Sequence, residues 1–279
     1  MKTRKLIYMA LFAGTILQGC SKEDDQVTKD EQLNWSLRPD FAMLDTRPAD
    51  EIEKFKLTEK DASPIKLDEN TEKGAKYALV IGISDYSGTS SDLQYCDDDA
   101  NDWKTRLQAE GYSVTIILDR NATKSAIESA VNTLASRSVA GNTIAFCYSG
   151  HGSSGNIVTT DLYYISSSWF KTKFTNSTST KMMFCFDACQ IGAMKTSLSK
   201  TGRVIAVASN TTVYSYDGDA TMKNGVFTYY QMRGFDYMGY VYLESDCSYA
   251  CTQMKSWASA RGLTVAPSYG DYYSGSFDL

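Results

Sequence analysis

Thr143-Ile144-Ala145-Phe146-Cys147-Tyr148 is an apolar run that passes directly into Ser149-Gly150-His151-Gly152, which carries the only histidine of the chain. A second apolar run, Met182-Met183-Phe184-Cys185-Phe186, ends in Asp187-Ala188-Cys189-Gln190. Each reads as a buried strand whose last residues carry a reactive group. If the strands are parallel neighbours, an imidazole and a thiol meet at the carboxyl edge of a sheet, where open α/β folds build their sites. That pairing suits a cysteine nucleophile with a histidine base.

Working outward, Tyr77-Ala78-Leu79-Val80-Ile81-Gly82-Ile83 is another near-continuous apolar strand, of the kind buried on both faces. A helix is predicted from about Asp98 to Glu110, with Trp103 and Leu107 on one face and Gly111 at its C′ position. Tyr112 to Leu118 reads as a strand. Asn121-Ala122-Thr123 opens a second helix, in which Ile127, Val131 and Leu134 follow the 3.6 period. Ile157 to Ile165 suggests a hairpin or extra strand, and Arg203 to Ser209 another main strand. Helices are predicted from Val226 to Met232 and from Asp246 to Arg261, and a last strand over Leu263-Thr264-Val265-Ala266-Pro267. This alternation predicts an α/β fold, a three-layer α/β/α sandwich with a mostly parallel central sheet and right-handed crossovers. Residues 75–279 suffice for one domain. Residues 20–74 are polar, hold Pro39, Pro48 and Pro64, and read as an acidic tether with an extension lying across that domain.

The amino terminus reads as a targeting segment. Lys2, Arg4 and Lys5 precede an apolar run of 12 residues, Leu6 to Leu17, too short to span a bilayer and right for a leader over residues 1–19. Leu17-Gln18-Gly19-Cys20 resembles the lipobox of bacterial lipoproteins, which implies cleavage before Cys20 and its lipidation. The following Ser21-Lys22-Glu23-Asp24-Asp25 resembles the surface-export signal of some outer-membrane lipoproteins. The expectation is a protein anchored to the outer membrane through Cys20. Removing the leader takes 28 basic residues to 25 against 33 acidic ones, a net charge of −8. No basic patch is visible, so nucleic acid is not expected as a partner. With one histidine and no Cys-x-x-Cys, no zinc site is expected either.

Several motifs in order resemble the caspase-like peptidases, in their metacaspase and bacterial caspase-homologue branch. They are Ala78-Leu79-Val80-Ile81-Gly82-Ile83 with Tyr86, Leu93 to Ala100, Tyr148-Ser149-Gly150-His151-Gly152, Asp187-Ala188-Cys189-Gln190-Ile191-Gly192, and Gly225-Val226-Phe227-Thr228. The resemblance covers roughly residues 75–279. It implies a cysteine endopeptidase with Cys189 as nucleophile and His151 as its partner. The N–H groups of Gly152 and Cys189 are the expected oxyanion hole. Gly150 and Gly152 let the backbone approach the scissile bond, since neither carries a side chain.

Asp187 lies two residues before Cys189 and faces the same side of a strand. The resemblance places an acid there in metacaspases that cut after Arg or Lys. Asp99, in Cys96-Asp97-Asp98-Asp99-Ala100, matches the second pocket acid, although acids at a helix start also complement its dipole. Two carboxylates suit a guanidinium, so the expected substrate is a peptide or protein with Arg, then Lys, at P1. Calcium is expected as an activator at most, with Asp161, Asp217 and Asp219 as loose candidate ligands. Basic residues just before the domain or at its start (Lys66, Lys73, Lys76) and between Cys189 and the next main strand (Lys195, Lys200, Arg203) are candidate self-processing sites. Two alternatives stay open: a legumain- or clostripain-like peptidase with another P1 choice, and a catalytically inactive surface lipoprotein that binds a partner.

Overall fold

Period-two alternation divides the core into two halves on either side of one sheet. The computed structural model describes residues 35–68 and 74–279. The leader, Cys20 and Lys73 lie outside the described residues. The extension contributes β1 (Ser36–Leu37), α1 (Phe41–Leu44), α2 (Ala49–Lys54) and β2 (Lys56–Leu57). The domain continues with β3 (Lys76–Gly82), α3 (Cys96–Ala109), β4 (Ser113–Leu118), α4 (Lys124–Ser136) and β5 (Thr143–Ser149). Next come the short strands β6 (Gly152–Ser153), β7 (Asn156–Val158) and β8 (Tyr164–Ser166), then α5 (Ser167–Lys173), β9 (Lys181–Asp187), α6 (Ala193–Ser197) and β10 (Arg203–Val207). β11 (Tyr216–Asp217), α7 (Val226–Asp236), α8 (Leu243–Ser259) and β12 (Ser268–Asp271) complete it.

The main sheet has six strands in the order β12-β10-β9-β5-β3-β4. All neighbours are parallel except β12, which runs antiparallel to β10. Successive strand side chains point to opposite faces. Leu79, Ile81, Phe146, Phe184 and Ile205 therefore join one core with Ile127 and Val131 of α4, Phe170 of α5 and Met194 of α6. Ala78, Val80, Cys147, Cys185 and Val204 join the other with Trp103 and Leu107 of α3, Phe235 of α7 and Met254 of α8. This is the expected α/β/α sandwich. Each fully buried Leu, Ile or Phe contributes about 1.5–3 kcal/mol. Truncating Phe146, which packs edge-on to Phe170 at the sheet's centre, should cost about 3–5 kcal/mol.

Local chemistry sets the element ends. The Thr123 hydroxyl accepts from Ala126 N at 3.3 Å and caps α4. Gly111, with φ +84°, turns the chain after α3. The last strand differs from expectation. Residues 263–267 form no strand, because Leu263 N closes the turn after α8 by donating to Ala258 O, and Pro267 has no N–H for a ladder. The edge strand starts instead at Ser268, in a segment with no apolar alternation to announce it. Among the described residues no helix is long and apolar enough to cross a membrane.

The extension packs onto the domain at three places. β1 pairs antiparallel with β11, matching Ser36 to Asp217 and Leu37 to Tyr216. β2 adds to the small sheet β2-β8-β7-β6. Between them, Asp45 accepts from the Tyr164 hydroxyl at 2.8 Å and pairs with Arg47, which also donates to Leu162 O.

Candidate active site

β5 and β9 are parallel neighbours in a register that matches Ser149 to Asp187. His151 and Cys189 therefore stand at the same distance, two residues, beyond a matched pair. The two loops touch: a Cβ on Gly152 would lie 2.2 Å from Cys189 O, so only glycine fits. Gly150 N donates to Asp187 O at 3.2 Å and ties the loops together. Gln190 turns the chain away with φ +49°, a sparsely populated conformation of the kind found at functional sites.

His151 is wholly buried. Its backbone is clamped by two tyrosines: His151 N donates to the Tyr86 hydroxyl, and the Tyr148 hydroxyl donates to His151 O, both at 2.8 Å. The ring Nε2 lies 2.7 Å from the carbonyl oxygen of Ser91. A carbonyl only accepts, so Nε2 carries the proton and Nδ1 is left with its lone pair. Nδ1 is buried and has no hydrogen-bond partner. The Phe41 ring from the extension sits 5.3 Å away, centroid to centroid, and shuts out water. Burial pushes the imidazole down to about 4, only partly opposed by the backbone carbonyls of Ser91 and, at longer range, Pro39.

Cys189 is also buried. Its thiol does not bond to the imidazole. Sγ lies 2.7 Å from Arg38 O, to which it donates, and accepts from Ser215 N at 3.1 Å. Burial pushes the thiol up to about 12. As the chain stands, both groups are held neutral.

The acidic pocket is built where three elements converge. Gly82 lets the start of α3 rest on the end of β3, since a Cβ there would come 2.1 Å from Cys96 O. Ser84 caps that helix end by accepting from Cys96 N and donating to Asp97. Asp99 thereby points at the sheet edge and meets Asp187 from β9 and Asp217 from β11. All three are buried and surround one cation, the guanidinium of Arg38. Nε and Nη2 of Arg38 both lie 2.8 Å from Asp217 Oδ1, Nη1 lies 3.1 Å from Asp187 Oδ1, and Nη2 lies 3.2 Å from Asp99 Oδ2. Burial pushes the Asp99 carboxyl up; Arg38 pulls it back, and Asp187 adds to the rise. Breaking one partner out of such a buried cluster typically costs about 3–5 kcal/mol.

The structure thus brings His151, Gly152 and Cys189 together, with Asp99 and Asp187 in one pocket beside them. Sequence reasoning missed Arg38, the Ser91 carbonyl and the pocket role of Asp217, which had been a candidate calcium ligand. The available signal for Arg38 was a basic residue directly before a proline in the extension of a chain with an acidic pocket. The other calcium candidates are engaged locally. Asp161 accepts from Lys124 N and Thr159, and Asp219 from Thr221 N and Met222 N. Among the processing candidates, Arg203 is corrected: its guanidinium is buried and bonds to Leu198 O and Phe174 O, beyond the reach of another active site. Lys66 is exposed. A shallow groove of about 570 Å³ lies elsewhere, near α8, between Tyr240, Glu244 and Tyr269. The space over Cys189 is filled by the extension.

The family model described as the caspase domain of C14 peptidases matches residues 75–250. No curated protein matches the chain. A protein of Geobacter sulfurreducens, known from its crystal structure, superposes with a TM-score of 0.58 at 15% identity, covering 72% of this chain and 94% of that one. At that identity the likeness speaks for the fold alone.

Proposed function

Because this chain belongs to the caspase-domain peptidase family, we propose that it is a cysteine endopeptidase that cleaves after arginine, and second after lysine, through Cys189 and His151. One observation carries the arginine preference: the acidic pocket next to the thiol holds a guanidinium in charge-assisted bonds from three carboxylates. A lysine ammonium is a point charge and cannot fork in the same way.

With a substrate in place of the extension, the steps follow from the donors and acceptors present. His151 Nδ1 takes the Cys189 proton while Ser91 O keeps Nε2–H oriented. The thiolate sulfur bonds to the scissile carbonyl carbon, and the oxygen, now negative, faces the N–H groups of Gly152 and Cys189. Losing one such donor typically costs about 10²–10³ in rate. The imidazolium then returns its proton to the leaving amine as the C–N bond breaks. Water, deprotonated by the same nitrogen, releases the acyl group and restores the thiol.

The leader and Cys20 add a location to this proposal: a lipid anchor in the outer membrane. Fourteen residues lie between Cys20 and Trp35, a reach of at most roughly 50 Å. Calcium's place in this proposal is that of an activator, and no step above runs through it.

A panel of fluorogenic peptides differing only at P1 tests the reading, run on an Arg38→Ala chain so that the pocket is open. Arg should give the highest kcat/KM, with Lys next. Preference for Asn or Asp would move the protein to another branch. No turnover of any P1 residue, with the fold intact, would favour a binding lipoprotein.

A further inference from the structure

Arg38 sits where the bond before a leaving group would sit, and its neighbours continue the pattern in both directions. Arg38 N donates to Ser215 O at 3.2 Å, and the chain before it pairs antiparallel with β11, Leu37 to Tyr216 and Ser36 to Asp217. An extended peptide laid against a strand edge is how such clefts read backbone. One residue further back, the Trp35 ring packs edge-on against Tyr216 and Trp257, with centroids at 5.7 and 5.9 Å. Tyr216 and Trp257 are themselves 5.8 Å apart, so the three rings form a triangle. In the other direction Pro39 follows the carbonyl at Cys189, and Phe41 covers His151.

The geometry points to residues Trp35–Pro39 as an internal inhibitor lying in the register of a substrate. Arg38 stands at P1, Leu37 at P2, Ser36 at P3, Trp35 at P4 and Pro39 at P1′. The segment also describes the substrate that the cleft prefers: arginine at P1 and an aromatic side chain at P4, received by Tyr216 and Trp257. This inference rests on the endopeptidase reading above and deepens it.

Three features keep the segment from being consumed. The Arg38 carbonyl presents its oxygen to the sulfur as a hydrogen-bond acceptor. The nitrogen that would leave is the ring nitrogen of Pro39, in a rigid tertiary amide. Downstream, Phe41 is buried against His151, Tyr86 and Tyr164, so the chain beyond Pro39 is held in place. Leu37, by contrast, is exposed, so P2 carries little selection.

Alkylation of Cys189 by iodoacetamide, read by peptide mass spectrometry on the full chain, tests this without requiring turnover. Cys189 should react at least about 100-fold faster in Arg38→Ala than in wild type, and about tenfold faster in Trp35→Ala, which leaves the acid cluster and its cation intact if Arg38→Ala proves unfolded. A free peptide of the sequence Trp-Ser-Leu-Arg-Pro-Asp should slow alkylation of the opened chain, and the same peptide with Ala for Trp should protect about tenfold less well. Equal rates in wild type and both variants would overturn the inhibitor, and equal protection by the two peptides would overturn the aromatic subsite. A chain that opens in this assay yet turns over no Arg substrate would leave the occlusion standing and remove the peptidase reading instead.

Discussion

The thiol of Cys189 donates to the carbonyl oxygen of Arg38 at 2.7 Å, while the guanidinium of the same residue is shared by Asp99, Asp187 and Asp217. One residue of the extension thus occupies both the Cys189 thiol and the acidic pocket.

In the proposed register Pro39 is one of three features that protect the bond after Arg38. Pro39→Ala should allow a cut after Arg38, with water added across the amide. Intact-mass spectrometry should show the cleaved product in Pro39→Ala and none in Pro39→Ala with Cys189→Ala. A single variant that stays whole would mean that placement of the carbonyl, not proline, does the protecting.

The two reactive groups give a pH signature. With its thiol pushed up to about 12, wild-type Cys189 should resist alkylation up to about pH 10. In Arg38→Ala the profile should shift toward the ~8.5 of a free thiol. His151, pushed down to about 4, refuses in the folded state a proton that the unfolded chain accepts near 6.5. Its contribution to stability is therefore complete above about 6.5 and is lost as pH falls toward 4, amounting to about 2 kcal/mol by pH 5. Urea midpoints at pH 7 and pH 5 should draw apart less in His151→Gln than in wild type.

Gly152→Ala should separate folding from activity. The added Cβ meets Cys189 O at 2.2 Å and Ala188 Cβ at 3.0 Å, so the two loops must part. Overpacking of this kind typically costs about 1–3 kcal/mol. Combined with Arg38→Ala, the change should reduce kcat at least about 100-fold, with thermal unfolding still cooperative. Retained kcat would remove Gly152 from the oxyanion hole.

One further buried acid lies away from the cleft. Asp246, in the first turn of α8, is buried with both carboxyl oxygens unpartnered. Burial pushes it well above the usual carboxylate range. A folded pKa raised above the unfolded one favours folding at low pH and loses that contribution as pH rises. Asp246→Asn should therefore raise Tm at pH 7 by several degrees, from about 1–3 kcal/mol, and by much less at pH 4. Equal shifts at both pH values would contradict the assignment of a neutral carboxyl.

The sheet was legible because β3, β5, β9 and β10 are apolar on both faces, and such runs have no other use in a chain of this charge. The placement of His151 and Cys189 just past adjoining strand ends was legible for a related reason: matched strand ends leave matched residues beyond them. The edge strand Ser268–Asp271 was not, because an edge needs only backbone pairing and leaves no pattern in the side chains. Arg38 was not legible because its role depends on a fold that brings it to Asp187, 149 residues away in sequence. Its neighbours Ser36 and Leu37 form a strand too short for any period.

The most direct test of the account is to map the adduct formed by peptide acyloxymethyl ketones on the Arg38→Ala chain, comparing Arg with Asp at P1. The account predicts a thioether on Cys189 from the Arg probe, formed at least about 100-fold faster than from the Asp probe and slowed about as much again by Asp217→Asn. An adduct on another residue, or a faster reaction with Asp, would contradict it.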